Sequence, residues 1–245
     1  MTFFISIRYL LEFFFFKLII FLMFPLSKKM SSKIISYSFM FLGKLSKYNQ
    51  IAKNNCKIVF PNLNEKEITK IINNSWQNLG HNLFELTFLK KIIKDKNKIE
   101  VKGLEVLKKI RKDNLPVIFF SIHSSNWEVC VPLLDQNDFK IGAIYRHINN
   151  TFFNKYIYKQ RTDALKTNDS FYTPKGKVSA KEIIEGVINN KNIFLLVDQK
   201  DSAGNEVNFF GKKVKTQTGF LKIARKYGLK LVPMKNIRLP NNKLQ

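Results

Sequence analysis

The chain has 245 residues, 42 of them Lys or Arg and 18 Asp or Glu, for a formal net charge of +24 with the histidines neutral. At 45% hydrophobic and 13% aromatic residues it holds ample material for a core, which excludes disorder as its main state despite that charge. Two cysteines, Cys56 and Cys130, leave no disulfide framework and no thiolate zinc cluster, so a bridge-stapled secreted domain is excluded and a reducing compartment is the simpler setting.

Residues 2–26 form a phenylalanine-rich run broken by Arg8, Glu12 and Lys17 and closed by Pro25. The length suits a membrane span, which needs roughly 20 mostly apolar residues, but charges at mid-depth are costly unless they snorkel or pair. Arg8 and Glu12 have the i,i+4 spacing for pairing. An interfacial helix is the alternative, and a cleaved signal peptide is disfavoured because no small-residue cleavage site follows. Lys28, Lys29 and Lys33 beyond the run place the remaining chain on the cytoplasmic side by the positive-inside bias.

Over residues 26–48, Met30, Ile34, Ile35, Phe41, Leu42 and Leu45 recur near helical spacing and predict an amphipathic helix. Pro61 breaks the chain, and Asn64 with Glu67 three residues on is a capping-box signature opening a second helix that carries Ile68, Ile71, Ile72, Leu79 and Leu83. Beyond residue 98, short apolar runs alternate with helical stretches, the pattern of an α/β layer. Strands are predicted at 99–101, 116–121, 140–145, 192–197 and 230–235, with helices near 103–112, 124–134, 149–163, 177–190 and 216–227. The organisation expected is a membrane anchor or transmembrane helix at 1–26, a helical region at 27–97, and an α/β core at 98–245. In that core a central mixed sheet is flanked by helices.

The segment PVIFFSIHSSNWEVC, residues 116–130, places His123 at the carboxyl end of a buried strand, the edge where ligands gather in open α/β sheets. If the chain then turns into a helix, Glu128 can come beside the imidazole, fix its tautomer and free the other ring nitrogen to take a proton from a hydroxyl. Ser125 with Glu128 three residues later is equally a capping box, in which case the segment only starts a helix. Asp198 and Gln199 stand at another strand end, where they can organise a site or simply make a turn. His81, His123 and His147 show no ligand spacing with one another or with cysteine, so no metal site is expected. The absence of a G-x-S-x-G elbow disfavours a nucleophilic hydrolase.

Taken in order, HSSNWE (residues 123–128), Tyr145-Arg146 followed by Asn149-Asn150, Lys175-Gly176, Val197-Asp198-Gln199, and Phe209-Phe210-Gly211 followed by Thr216 and Gly219 resemble the lysophospholipid acyltransferase superfamily. Within it they resemble the bacterial lipid A biosynthesis acyltransferases, of the late lauroyl and myristoyl type. Upstream, Asn54-Asn55 with Phe60-Pro61, and Asn78-Leu79-Gly80 with Glu85, resemble the amino-terminal region of that family, so the likeness covers nearly the whole chain.

The resemblance implies acyl transfer from an acyl carrier protein thioester to a hydroxyl of a lipid A precursor, at the cytoplasmic face of the inner membrane, with no cofactor and no nucleic-acid partner. It makes His123 the general base and Glu128 its orienting partner. Ser124, Ser125, Asn126, Tyr145, Arg146, Arg161, Lys175, Gly176, Asp198 and Gln199 are the expected substrate-binding positions. Backbone N–H groups at the helix start after His123, with Arg146 or Arg161, would stabilise an oxyanion or hold phosphate. Many members carry Gly where this chain has Ser125, and a complete member is expected to continue past Gln245 with a further strand and helix. The alternatives are a glycerophospholipid acyltransferase using the same chemistry, and a non-enzymatic basic membrane-binding protein in which HSSNWE is only a helix cap.

Overall fold

The computed structural model describes residues 3–240 and 242–245. The chain divides into two compact units, Met1–Thr87 with Asn150–Phe153, and Phe88–Asn149 with Asn154–Gln245.

The first unit is helical: α1 (Phe3–Leu22), α2 (Lys28–Leu45), α3 (Lys47–Val59) and α4 (Glu65–Leu86). Arg8 Nε donates to Glu12 Oε1 at 2.9 Å, the pairing its spacing predicts. No described helix is long and apolar enough to cross a membrane, so the expected transmembrane helix is not found among the described residues. Three charges in α1 are the reason. The exposed face of α1 nevertheless carries Phe4, Phe14, Phe15 and Phe21. Its Phe13 ring stacks on Phe152 at 6.1 Å and meets Phe153 edge-on at 5.5 Å, while Asn150 Nδ2 donates to the Tyr9 carbonyl at 3.0 Å.

Ser27 caps α2, and Asn64 with Glu67 forms the capping box that opens α4. The buried face of α2 is made of small residues, Ser31, Ser32, Ser36 and Gly43, with Ile35. Such a face lets α4 approach closely. The Trp76 ring lies over Gly43, and a Cβ at Gly80 would stand 2.7 Å from Ser36 Cα. Ser32 Oγ and His81 Nδ1 share a 2.7 Å hydrogen bond along the same seam. A leucine at position 80 has no room there, so Gly80→Leu is expected to lower the unfolding free energy by about 1–3 kcal/mol through overpacking. A urea melt of the full chain reads this, and an unchanged midpoint would mean that α2 and α4 do not meet at Gly80.

The second unit runs α5 (Leu89–Lys94), α6 (Leu104–Asp113), β1 (Val117–Ser121), a 3-10 turn (Trp127–Val129), α7 (Cys130–Gln136), β2 (Ile141–Tyr145), α8 (Thr151–Asp163), β3 (Phe171–Pro174), α9 (Lys177–Ile188), β4 (Asn192–Leu196), β5 (Lys200–Phe209), β6 (Lys212–Thr216), α10 (Gly219–Tyr227) and β7 (Lys230–Pro233). The first turn of α8 clusters with the first unit.

Five strands form one sheet in the order β3-β2-β4-β1-β7, and every neighbouring pair is parallel. The mixed sheet expected from the sequence is therefore a parallel one. Each successive strand of the sheet follows a helical crossover that returns the chain to the same starting edge.

Side chains alternate between two apolar layers. Val117 and Phe119 of β1 pack with Ile110 of α6 and Val131 and Leu134 of α7, whereas Ile118 packs with Ile183 and Val187 of α9 and Ala224 of α10. Helices on both faces are why β1, β2 and β4 read as continuous apolar runs.

Three local expectations differ from the structure. Residues 99–101 hold only an isolated bridge, Ile99 with Leu244. The helix expected from 124 begins at Cys130, after the 3-10 turn. Strand β3 and the antiparallel hairpin β5-β6 were not anticipated.

Candidate active site

β1 and β4 are adjacent and parallel, with Ser121 opposite Leu196. Each strand is followed at the same offset of two residues by an ionisable side chain, His123 after β1 and Asp198 after β4, so sheet register alone sets the two side by side. Asp198 grips the histidine twice. Oδ2 accepts the His123 backbone N–H at 2.8 Å and Oδ1 accepts from the ring at Nδ1, at 2.7 Å. Burial alone would raise the Asp198 pKa, but the side-chain and backbone hydrogen bonds from His123, with its charge, hold the carboxyl below its ordinary value.

With Nδ1–H given to the carboxylate, the lone pair of Nε2 is the free basic site of the ring. Gln199 Nε2 donates toward it across 3.3 Å, a long contact that a hydroxyl can replace. The Trp127 ring meets the imidazole edge-on at 4.9 Å and walls one side.

Glu128 does not contact the imidazole in the way its spacing suggested. Its Oε2 and Oε1 accept from Arg161 Nε and Nη2, each at 2.7 Å, and the two side chains are 10% and 15% exposed. Burial would lower the Arg161 pKa, but the facing carboxylate outweighs it and raises the value, so the guanidinium is firmly charged. Arg161 also lies over the rings of Tyr145 and Tyr172, at 5.6 and 5.8 Å from their centroids.

The turn itself explains the redirection. Ser125 takes a left-handed φ of 48°, and the cap is Asn126 rather than Ser125, its Oδ1 accepting Glu128 N at 3.1 Å. That geometry aims Glu128 toward α8. Asn126 is fully buried and holds the turn rather than facing a substrate. The α-helix expected just after His123 starts seven residues later, at Cys130, with the 3-10 turn of Trp127–Val129 intervening.

The remaining expected residues gather at the same sheet edge. Ser124 Oγ donates to the Asn236 carbonyl at 3.3 Å, tying the turn to the segment after β7. Tyr145 ends β2, and exposed Arg146 follows it with no ion-pair partner among the described residues. After β3, Lys175 N donates to the Tyr145 carbonyl at 2.7 Å, its Nζ pairs with Asp201 at 3.1 Å, and Gly176 caps α9. The sequence did not single out Asp201, nor Gln217, whose Nε2 donates to the Leu196 carbonyl at 2.6 Å. Neither sits in a motif that marks it. A cavity of about 220 Å³ lies at the opposite edge, lined by Ile110, Arg111, Phe139 and Asn192, and holds none of these groups. Among the described residues no cluster of His, Cys, Asp and Glu is fit to hold a metal ion.

Position 125 also shows why glycine suits it. A left-handed φ is unstrained for Gly, tolerable for Ser and an outlier for a β-branched residue. Ser125→Gly is expected to keep both stability and any turnover, whereas Ser125→Val should lose about 1–2 kcal/mol or more. Thermal melts of the two variants check this, and equal stability would contradict the left-handed turn.

Residues 1–244 match the model of a family described as bacterial lipid A biosynthesis acyltransferase. A search among curated proteins finds no match to the chain.

Proposed function

The chain belongs to the bacterial lipid A biosynthesis acyltransferase family, whose members transfer acyl groups in lipid A biosynthesis, and from that premise we propose a base-assisted transfer centred on His123. Nε2 of His123 takes the proton of an acceptor hydroxyl as the oxygen attacks the carbonyl carbon of a thioester. The new C–O bond forms through a tetrahedral oxyanion, the C–S bond breaks, and the imidazolium returns its proton to the leaving sulfur. Asp198 keeps Nδ1 protonated and stabilises the imidazolium between the two proton transfers. Arg146, exposed and with no ion-pair partner among the described residues, serves as the cation for the oxyanion or for phosphate on the acceptor. Glu128 and Arg161 serve by fixing the turn that carries His123.

The donor in this reading is acyl carrier protein, whose acidity suits a chain of net charge +24. The acceptor is a lipid A precursor reached at the cytoplasmic face of the inner membrane. The exposed phenylalanines of α1, with Arg8 and Glu12 paired, support attachment at the membrane. The observation that carries the proposal is the doubly held His123–Asp198 pair at the carboxyl edge of a parallel sheet, in a chain of this family.

Full-length protein assayed with carrier-protein and coenzyme A thioesters, against lipid A precursor and glycerol phosphate, tests it. His123→Ala is expected to reduce transfer to lipid A precursor by about 10²–10⁴. Near wild-type turnover would overturn the assignment, and a preference for glycerol phosphate would favour a glycerophospholipid acyltransferase.

A further inference from the structure

The β5-β6 hairpin begins one residue after Gln199, and its base is tied to the catalytic edge by Lys175 on Asp201 and by Gln217 on the Leu196 carbonyl. Close packing continues through Gly204, whose missing Cβ leaves room for the Thr216 carbonyl. From there the arm runs outward in register, Glu206 with Lys215, Val207 with Val214, Asn208 with Lys213, and Phe209 with Lys212.

The pleat sorts these pairs into two faces. Val207, Val214 and Phe209 share one, and Glu206, Lys213 and Lys215 share the other, where Glu206 pairs with Lys213 at 3.3 Å. Phe209 and Phe210 belong to the FFG motif, and from the sequence their expected role is packing or, more sharply, contact with an acyl chain. The structure leaves them 61% and 55% exposed, their rings in edge contact at 4.6 Å and nothing else packed on the tip among the described ring contacts.

The turn adds a second oddity. Phe210 and Gly211 both have positive φ, 48° and 70°, as a two-residue hairpin turn requires. Asn or Asp is the favoured residue at the first of those positions. A bulky aromatic there is strained, and the ring contact described for it is the one with Phe209.

We propose that the tip of this hairpin, Phe209 and Phe210 with Val207 and Val214 behind them, inserts into the headgroup region of an anionic lipid bilayer. Its shape favours a bilayer over a folded protein. The rings protrude, and a protruding tip enters a deformable interface directly, whereas a protein would need a matching pocket. The charge agrees, because Lys200, Lys212, Lys213 and Lys215 outnumber Asp201 and Glu206 on the hairpin, and lysines beside buried aromatics suit anionic headgroups. Since the base of the arm is the catalytic edge, insertion would set the level of that edge above the membrane. The inference rests on the membrane association proposed above but not on the identity of the acyl acceptor.

The test uses the full chain carrying Phe210→Trp, with Phe209→Trp as a second probe in case the first disturbs the turn. The wild-type emission from Trp76 and Trp127 is subtracted. On vesicles of phosphatidylglycerol and phosphatidylethanolamine, the added emission is expected to shift to the blue. It should also fall about twofold or more when the lipids are brominated near the headgroup, because the ring sits within roughly 5–10 Å of that level. Vesicle binding with no quenching of the added indole would overturn the hairpin's role and leave membrane association standing. No binding at all would overturn both. An added signal that responds to acyl carrier protein and not to lipid would overturn the proposal in favour of a protein partner.

Discussion

Asp198→Asn is expected to lower acyl transfer by about 10²–10⁴ while leaving the protein folded. The amide can still touch the ring, but it neither demands a proton on Nδ1 nor stabilises the imidazolium, so Nε2 loses the tautomer and the charge partner that make it a base. The substitution also has a signature independent of turnover. The Asp198 carboxyl is held below 3.8, its ordinary value, in the folded chain. It therefore contributes stability that is fully present above the unfolded pKa and is lost as pH falls through the lower folded one. The stability gap between wild type and Asp198→Asn should be widest near neutrality and close below about pH 4, in urea melts run across that range. A gap that does not change with pH would mean that the carboxylate is not ionically engaged with His123.

How much of this was legible in the sequence differs from residue to residue, for physical reasons. His123 stood out because an apolar run of strand type stops just before it, and that is a local pattern. Asp198 is legible as a strand-end carboxylate that can organise a site but not as the partner of His123, because the contact runs across a parallel strand pair and nothing in the local spacing encodes which two strands lie together. Glu128, five residues on, looked like the partner because the left-handed turn at Ser125 is invisible without φ. The capping box at Asn64 was legible in full, being a contact between near neighbours. Strand β3 is four residues of Phe-Tyr-Thr-Pro with no periodicity to detect, and β5 is mostly polar, so neither carried the apolar signal that marked β1, β2 and β4. The sheet's parallel sense follows from the helical crossovers that the alternation of elements suggests, in place of the mixed sheet expected from the sequence.

The second large effect is on stability. Arg161→Ala leaves the Glu128 carboxylate nearly buried without its guanidinium, and removing one partner of such a pair costs about 3–5 kcal/mol. Glu128→Ala strands the arginine in the same way. The double variant Glu128→Ala with Arg161→Ala should be far less damaging than the two single losses combined, because desolvation of both charges is relieved together. Chemical denaturation of the four proteins gives the cycle. Additive losses would show that the two side chains act separately. If Glu128 were instead the partner of the base, Glu128→Gln would depress turnover at unchanged stability, and the pH dependence described for Asp198 would belong to it.

The separation of 75 positions between His123 and Asp198 bears on how the protein comes into being. A contact so distant in sequence is made late, after the closure entropy of the intervening chain has been met by pairing β1 with β4. β4 lies between β2 and β1 rather than at an edge, so its insertion is what joins those two strands into one sheet. On a ribosome, the histidine emerges long before its carboxylate. Until β4 inserts, the imidazole lacks the carboxylate that fixes its tautomer and supplies its counter-charge, so a nascent or half-folded chain lacks the arrangement on which the proposed transfer depends. Onset of activity during refolding should therefore coincide with completion of the sheet rather than with the earlier appearance of helix.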